Sequence, residues 1–192
     1  MVNNYKFYNL KKLISEELKN NSNDLVTRET GRRIRGRIEA DFEREAGSRI
    51  LVLDFSGVGI IDYSCADEVI AKIVARLVGG EYGDKYILLK NLLPNQIENI
   101  QVALERKKLA VPLKEADGLR ILGSLNPYLT DALAEVNKRK SITARDLADL
   151  TGAAINLAST KLLNLHKARL VIRTSEGLPE RGRQYIYKSL LS

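Results

Sequence analysis

Five arginines, Arg28, Arg32, Arg33, Arg35 and Arg37, crowd the front of one segment, and Glu39, Asp41, Glu43 and Glu45 fill its rear. On a helix that order opposes the macrodipole, by a few tenths of a kcal/mol for each exposed charge. Two explanations stand side by side. One is an external acidic partner such as DNA phosphate or an acidic protein face. The other is a solvated helix face with the i,i+4 pairs Arg35–Glu39 and Arg37–Asp41. Asp54 and Asp62 flank one loop and have the chemistry to hold a cation, although strand-end and helix-cap roles account for them as well. Cys65 is the only cysteine and His166 the only histidine, too few for a zinc cluster on the usual ligand patterns. His166 is expected on the surface. Gly57-Val-Gly59 runs into Ile60-Ile61-Asp62 without the third glycine of a dinucleotide loop, and no Gly-x4-Gly-Lys-Ser/Thr motif occurs. No enzymatic chemistry, metal or cofactor is expected.

The elements that position these groups fall into two regions. In the first, Arg49 to Phe55 is a continuous apolar run ending in Asp and Phe, as in a buried strand of a covered sheet. Thr27 to Glu45 reads as a helix through Ile34, Ile38 and Phe42. Ser64 to Leu77 reads as another through Ala66, Val69, Ile70, Ile73 and Leu77, ended by Gly79-Gly80. Lys85 to Lys90 is a second strand, and Pro94 to Lys108 a helix carrying Ile97, Ile100 and Leu104. Leu109–Lys114 and Leu119–Leu122 flank the turn Asp117-Gly118 and predict a hairpin. Tyr5 to Leu10 reads as a strand and Lys11 to Lys19 as a helix. Leu125-Asn126-Pro127 is the expected joint, because proline restricts the residue before it. This places one domain at 1–124 and a second at 125–192.

The first region resembles a STAS domain, the fold of bacterial anti-anti-sigma factors. The resemblance rests on Leu51-Val-Leu-Asp-Phe-Ser-Gly-Val58 followed by Ile61-Asp-Tyr-Ser-Cys-Ala-Asp67 at the start of a helix, and it covers roughly residues 25–112. The likeness is nearest to STAS-like relatives of unassigned function. Those also carry a Thr-Arg-rich helix before the strand and a Leu-Glu-Arg-Lys segment later, matched here by Thr27-Arg28 and Leu104-Glu-Arg-Lys107. The resemblance implies a mixed sheet with helices and a partner-binding loop at Asp62, Tyr63 and Ser64. It also makes Ser64 the candidate phosphoacceptor, and an anti-sigma factor or ATPase-type kinase the partner. Tyr63 and Cys65 replace the family's Ser and Gly, so its substrate loop is half preserved. Phosphate at a helix N-terminus would add nearly two negative charges there. Ser64-Cys-Ala-Asp67 is equally a capping-box pattern, and an N-cap Ser alone is worth about 1 kcal/mol.

The second region begins with a helix over Tyr128 to Arg139. Thr143 and Asp146 have capping-box spacing, Leu147 and Leu150 supply an apolar side, and Gly152 supplies a turn. A second helix follows, with Ala154, Ala158, Leu162 and Leu165 on one buried face. Leu170 to Thr174 then reads as a strand, Ser175 to Gly182 as a basic loop, and Gln184 to Lys188 as the returning strand. Thr151-Gly152 through Leu170-Val171 resembles the turn, recognition helix and wing entry of bacterial winged-helix regulators, with Arg169 where many members carry Gly. By that resemblance Asn156, Ser159, Thr160, Lys161 and Asn164 face double-stranded DNA, and Arg173, Arg181 and Arg183 are the wing cations. Asn pairs with adenine, while Lys and Arg favour guanine or phosphate. No Arg lies on the recognition helix, so modest base readout is expected. The other use of such a module is protein docking or homodimerisation.

Composition is consistent with this reading. Of 192 residues 44% are hydrophobic, ample for a core, and no apolar run approaches a membrane span. Net charge is +7, unevenly spread: residues 123–192 hold 11 Lys/Arg against 6 Asp/Glu, and residues 1–122 hold 20 against 18. A basic balance favours polyanions. A single cysteine and a polar N-terminus fit a cytoplasmic protein. The expectation is an α/β STAS-like domain followed by a small α+β winged helix, acting together as a bacterial transcription regulator. The competing expectation is a protein-interaction adaptor that antagonises an anti-sigma factor.

Overall fold

The computed structural model describes residues 5–18, 22–44, 50–178 and 182–191. The chain divides into two compact units, Met1–Ser124 and Leu125–Ser192.

The first unit is α/β. Its elements are β1 (Tyr5–Asn9), α1 (Leu10–Leu18), α2 (Arg28–Arg44), β2 (Ile50–Asp54), α3 (Tyr63–Cys65), a π-helical turn (Ala66–Ala71), α4 (Lys72–Gly79), β3 (Tyr86–Lys90), α5 (Pro94–Arg106), β4 (Ala110–Glu115) and β5 (Gly118–Gly123). The sheet order is β1-β2-β3-β4-β5. The first four strands are parallel, and β5 returns antiparallel to β4. Ile50 to Leu53 and Tyr86 to Leu89 are at most 2% exposed, as strands buried on both faces must be. Leu51, Leu53, Ile87, Leu89, Val111 and Leu113 share one cluster with Ile34, Ile38, Phe42, Ile73, Leu77, Ile100 and Leu104 from the helices. Each such side chain contributes about 1.5–3 kcal/mol by leaving water.

Two sequence expectations change here. Ser64 is not the N-cap. Asp62 holds that position, its carboxylate accepting from the Cys65 amide at 2.7 Å and from the Thr27 amide at 3.1 Å. Ser64 lies inside the first turn, and Asp67 pairs with Arg28 (3.3 Å) and Lys107 (3.2 Å) rather than reaching back. A carboxylate one residue before the helix caps it without the serine. The arginine cluster forms the expected i,i+4 pairs and adds contacts that neither reading named. Arg35–Glu39 and Arg37–Asp41 do form, at 3.6 and 3.5 Å. Arg28 and Arg35, however, also reach inward to Glu68 on the π-helical turn, Arg28 at 2.8 Å, and Lys72 joins them. Two of the five arginines therefore have an internal acidic partner. Glu45 lies outside the described residues.

The second unit opens with a 3-10 turn (Pro127–Leu129), then α6 (Thr130–Arg139), β6 (Ser141–Thr143), α7 (Ala144–Thr151), α8 (Ile155–Lys167), β7 (Ile172–Leu178) and β8 (Gly182–Lys188). Its strands are antiparallel in the order β6-β8-β7. The Thr143–Asp146 capping box forms reciprocally, at 2.9 and 3.2 Å, and Gly152 adopts φ +66° at the turn. Leu147 and Ala148 are the buried pair of α7, while Leu150 stays exposed. Ala158, Leu162 and Leu165 bury α8, and Ala154 is its N-cap. The first strand of the hairpin starts later than expected. Ala168 to Leu170 close α8 through backbone bonds to Asn164, His166 and Leu165, with Arg169 at φ +62°. Leu178 and Gly182 are still paired, so the expected basic loop is mostly strand.

Candidate functional site

In the second unit, β8 and the flanks of α7 and α8 enclose a cleft of about 330 Å³ lined by Arg145, Ile155, Ser159, Arg183 and Tyr185 among others. Side chains alternate across a strand, and the register pairs Arg173 with Tyr187, Ser175 with Tyr185 and Gly177 with Arg183. Arg173, Arg183, Tyr185 and Tyr187 therefore share one face of the hairpin. The Arg173 guanidinium stacks 4.5 Å over the Tyr185 ring. Burial pushes the Tyr187 phenol up and Arg173 opposes that shift. Tyr187 is buried, while Tyr185 is 45% exposed. The described residues that line the cleft include cations and aromatics and no carboxylate. That chemistry suits a phosphodiester backbone with stacking surfaces.

The expected contact residues separate into two groups. Asn156, Ser159 and Thr160 are exposed on α8, and the Thr160 hydroxyl donates back to the Asn156 carbonyl at 2.8 Å, leaving its lone pairs available. Lys161 and Asn164 are half-buried. At 3.6 residues per turn, Lys161 stands about 200° and Asn164 about 140° around the helix from Ser159. The Asn164 amide donates to the Tyr128 hydroxyl. Only Ser159 and Arg183 of the expected set meet in the cleft. Arg181 lies outside the described residues. Arg145, Ile155 and Tyr185 are additions. Treating 183–187 as a strand with period two would have placed Arg183, Tyr185 and Tyr187 on one face. His166 is half-buried rather than on the surface, its Nδ1 3.4 Å from the Val171 carbonyl oxygen.

In the first unit, the loop before α3 is fastened to α5. Gln96 donates to the carbonyls of Val58 (3.0 Å) and Gly59 (2.6 Å), and Asn99 to that of Ile61 (3.0 Å). Tyr63 lies under the Arg106 guanidinium at 4.8 Å. Ser64 is half-buried, and its hydroxyl has no hydrogen-bond partner among the described residues. Exposed Ile60, Leu93 and Val102 lie on this loop and on or beside α5. The Asp62 carboxylate is occupied by its two amides. The Cys65 thiol donates to the Thr27 carbonyl at 2.8 Å and is pushed up to about 12 by burial and by Asp62, so it is no thiolate nucleophile at neutral pH.

Asp54 and Glu68 have structural partners. Asp54 accepts from the Ser56 amide (3.0 Å), the Ser56 hydroxyl (2.7 Å) and Asn91 (2.8 Å), with Lys90 at 3.1 Å. Glu68 is wholly buried among Arg28, Arg35 and Lys72. Burial alone would raise its carboxyl, but the three cations hold it below the usual range. Among the described residues no cluster of His, Cys, Asp and Glu is arranged to hold a metal ion.

Comparison with protein-family models and with curated proteins finds no match to this chain.

Proposed function

We propose that the chain is a bacterial transcription regulator, in which a STAS-like partner-sensing domain controls a DNA-binding winged helix. One observation carries the reading: Arg145, Ser159, Arg183 and Tyr185 converge from two helices and a hairpin on one cleft without a carboxylate. The order helix, strand, helix, turn, helix, hairpin, with β6 pairing the outgoing strand β8, supports the winged-helix assignment. In that arrangement α8 enters the major groove, the hairpin follows phosphate or the minor groove, and α7 crosses the backbone. Arg145 and Arg183 supply charge, and Asn156, Ser159 and Thr160 supply base contacts.

The half-buried Ser64 and the exposed Ile60, Leu93 and Val102 favour a second use of the first unit. It docks an anti-sigma factor or an ATPase-type kinase, with phosphate on Ser64 placing charge in that interface. In the adaptor version of this reading the second unit serves protein contacts or dimerisation, and the protein acts in the cytoplasm in either version.

A gel shift of the full chain against mixed-sequence duplexes separates the two. Retention that weakens with salt is expected. Arg145→Glu combined with Arg183→Glu should lower affinity at least tenfold on every duplex, since phosphate contacts carry no sequence information. Unchanged retention by the double variant overturns the cleft as the contact surface. No retention at low salt leaves the adaptor.

A further inference from the structure

We infer that α8 and the hairpin together select duplex DNA rich in A·T pairs, with the exposed Ile155 side chain reading a thymine methyl group. This rests on the DNA-binding reading above and names the sequence class that reading leaves open.

The first two turns of α8 expose Ile155, Asn156, Leu157, Ser159 and Thr160. None of them is a cation. Guanine is read in the major groove chiefly by Arg or Lys on O6 and N7, and that chemistry is absent from the side of α8 that carries Ile155, Asn156, Ser159 and Thr160. Lys161 sits half-buried on the far flank, about 140° from Asn156. Lys167 faces outward but lies in the last turn, about 16 Å along the axis from Asn156, at the distance of backbone rather than of the same base pairs.

What the face does carry matches A·T pairs group by group. The Asn156 amide offers the donor and acceptor that pair with adenine N7 and N6. Ile155 stands beside it on the Ser159 side and is 48% exposed, whereas Leu157 lies about 200° from Ile155 on the flank of Lys161. An aliphatic side chain held in water beside a hydrogen-bonding residue gains by covering an apolar group, and the C5 methyl of thymine is the apolar group in the major groove. Ser159 and Thr160 accept either pattern. A·T-rich tracts also narrow the minor groove and deepen its negative potential, which draws arginine. Arg183 is exposed near the free end of the hairpin and has no ion-pair partner among the described residues. Arg173 is stacked on Tyr185, which leaves Arg183 as the described hairpin arginine free to reach. Helix and hairpin thus favour the same base composition by unrelated physics.

The test is fluorescence anisotropy with the full chain and three duplexes of identical flanks and a core one helical turn long. The cores are a degenerate A/T pool, the same pool with deoxyuridine replacing thymidine, and a degenerate G/C pool. The A/T pool should bind about tenfold more tightly than the G/C pool. Deoxyuridine, which lacks only the methyl, should weaken binding several-fold. Ile155→Ala should weaken binding to the thymidine pool and leave the deoxyuridine pool unchanged, the signature of a direct coupling between side chain and methyl. Circular dichroism on that variant confirms that it is folded. Equal, salt-sensitive binding to all three pools overturns the inference and leaves the DNA-binding reading standing, as does tighter binding to G/C. Deoxyuridine without effect overturns the methyl contact. Absence of binding to every pool overturns both readings.

Discussion

Asp54 gathers four stabilising contacts at the end of β2, and its environment works in two directions. Burial alone would raise its carboxyl, but hydrogen bonds from Asn91 and Ser56 and the Lys90 ammonium outweigh that and lower it to about 2, from an ordinary 3.8. A carboxyl depressed on folding contributes stability that is complete above its unfolded value and is lost as pH falls through the folded one. The window here runs from just below pH 4 down to about 2. Glu68 is depressed in the same sense by Lys72, Arg28 and Arg35 and adds to the acid sensitivity. Urea unfolding followed by circular dichroism should therefore show stability falling steeply between pH 4 and pH 2. Asp54→Asn should flatten part of that fall while lowering stability at neutral pH. An unchanged acid limb in the variant would assign the sensitivity elsewhere. Arg169, at φ +62°, is a residue-scale strain of another kind. It occupies a left-handed position that glycine fills at no steric cost.

At the scale of an element, α2 holds two glycines with opposite meanings. A Cβ on Gly31 would lie 2.9 Å from the Glu68 Cβ and 3.1 Å from the Cys65 Cα. The helix would have to move away from α3 and the π-helical turn, loosening the Arg28 and Arg35 contacts to Glu68. A Cβ on Gly36 meets nothing within 4 Å. Gly31→Ala should lose about 1–3 kcal/mol, the usual range for overpacking. Gly36→Ala should gain about 0.5–1 kcal/mol, by removing an entropic cost within a helix. Thermal melts of the two variants should shift in opposite directions. A stable Gly31→Ala would mean that the close approach of α2 is not required. The π-helical turn itself was not legible in the sequence. Its wider ring brings the Lys72 amide to the Asp67 carbonyl, and residue type alone carries no signal for that extra residue.

For the whole molecule, charge is unevenly divided: residues 123–192 hold a surplus of five cations, and residues 1–122 only two. If Arg145, Arg183 and one further cation of the second unit replace counterions on phosphate, log K against log salt should fall with a slope of about −2.7. Arg183→Glu should reduce the magnitude of that slope by about one. Titration of the full chain on a mixed duplex at several salt concentrations gives the number. A slope near zero would remove the polyanion from the account, because phosphate contact without counterion release is not available to DNA.

Local physics was readable from the chain alone. The apolar runs of β2 and β3, the helical spacing of α2, α5 and α8, the Thr143–Asp146 box and the turn at Gly152 follow from side-chain periodicity and backbone preference, which act between near neighbours. What required the folded chain was every outcome set by competition between distant residues. Asp62 rather than Ser64 caps α3, Arg28 and Arg35 of α2 turn inward to Glu68, Arg145 and Tyr185 join Ser159 and Arg183, and Asn164 is drawn aside to Tyr128. A charge or an amide takes its strongest available partner, and which partners lie within reach is a property of packing, not of spacing along the sequence.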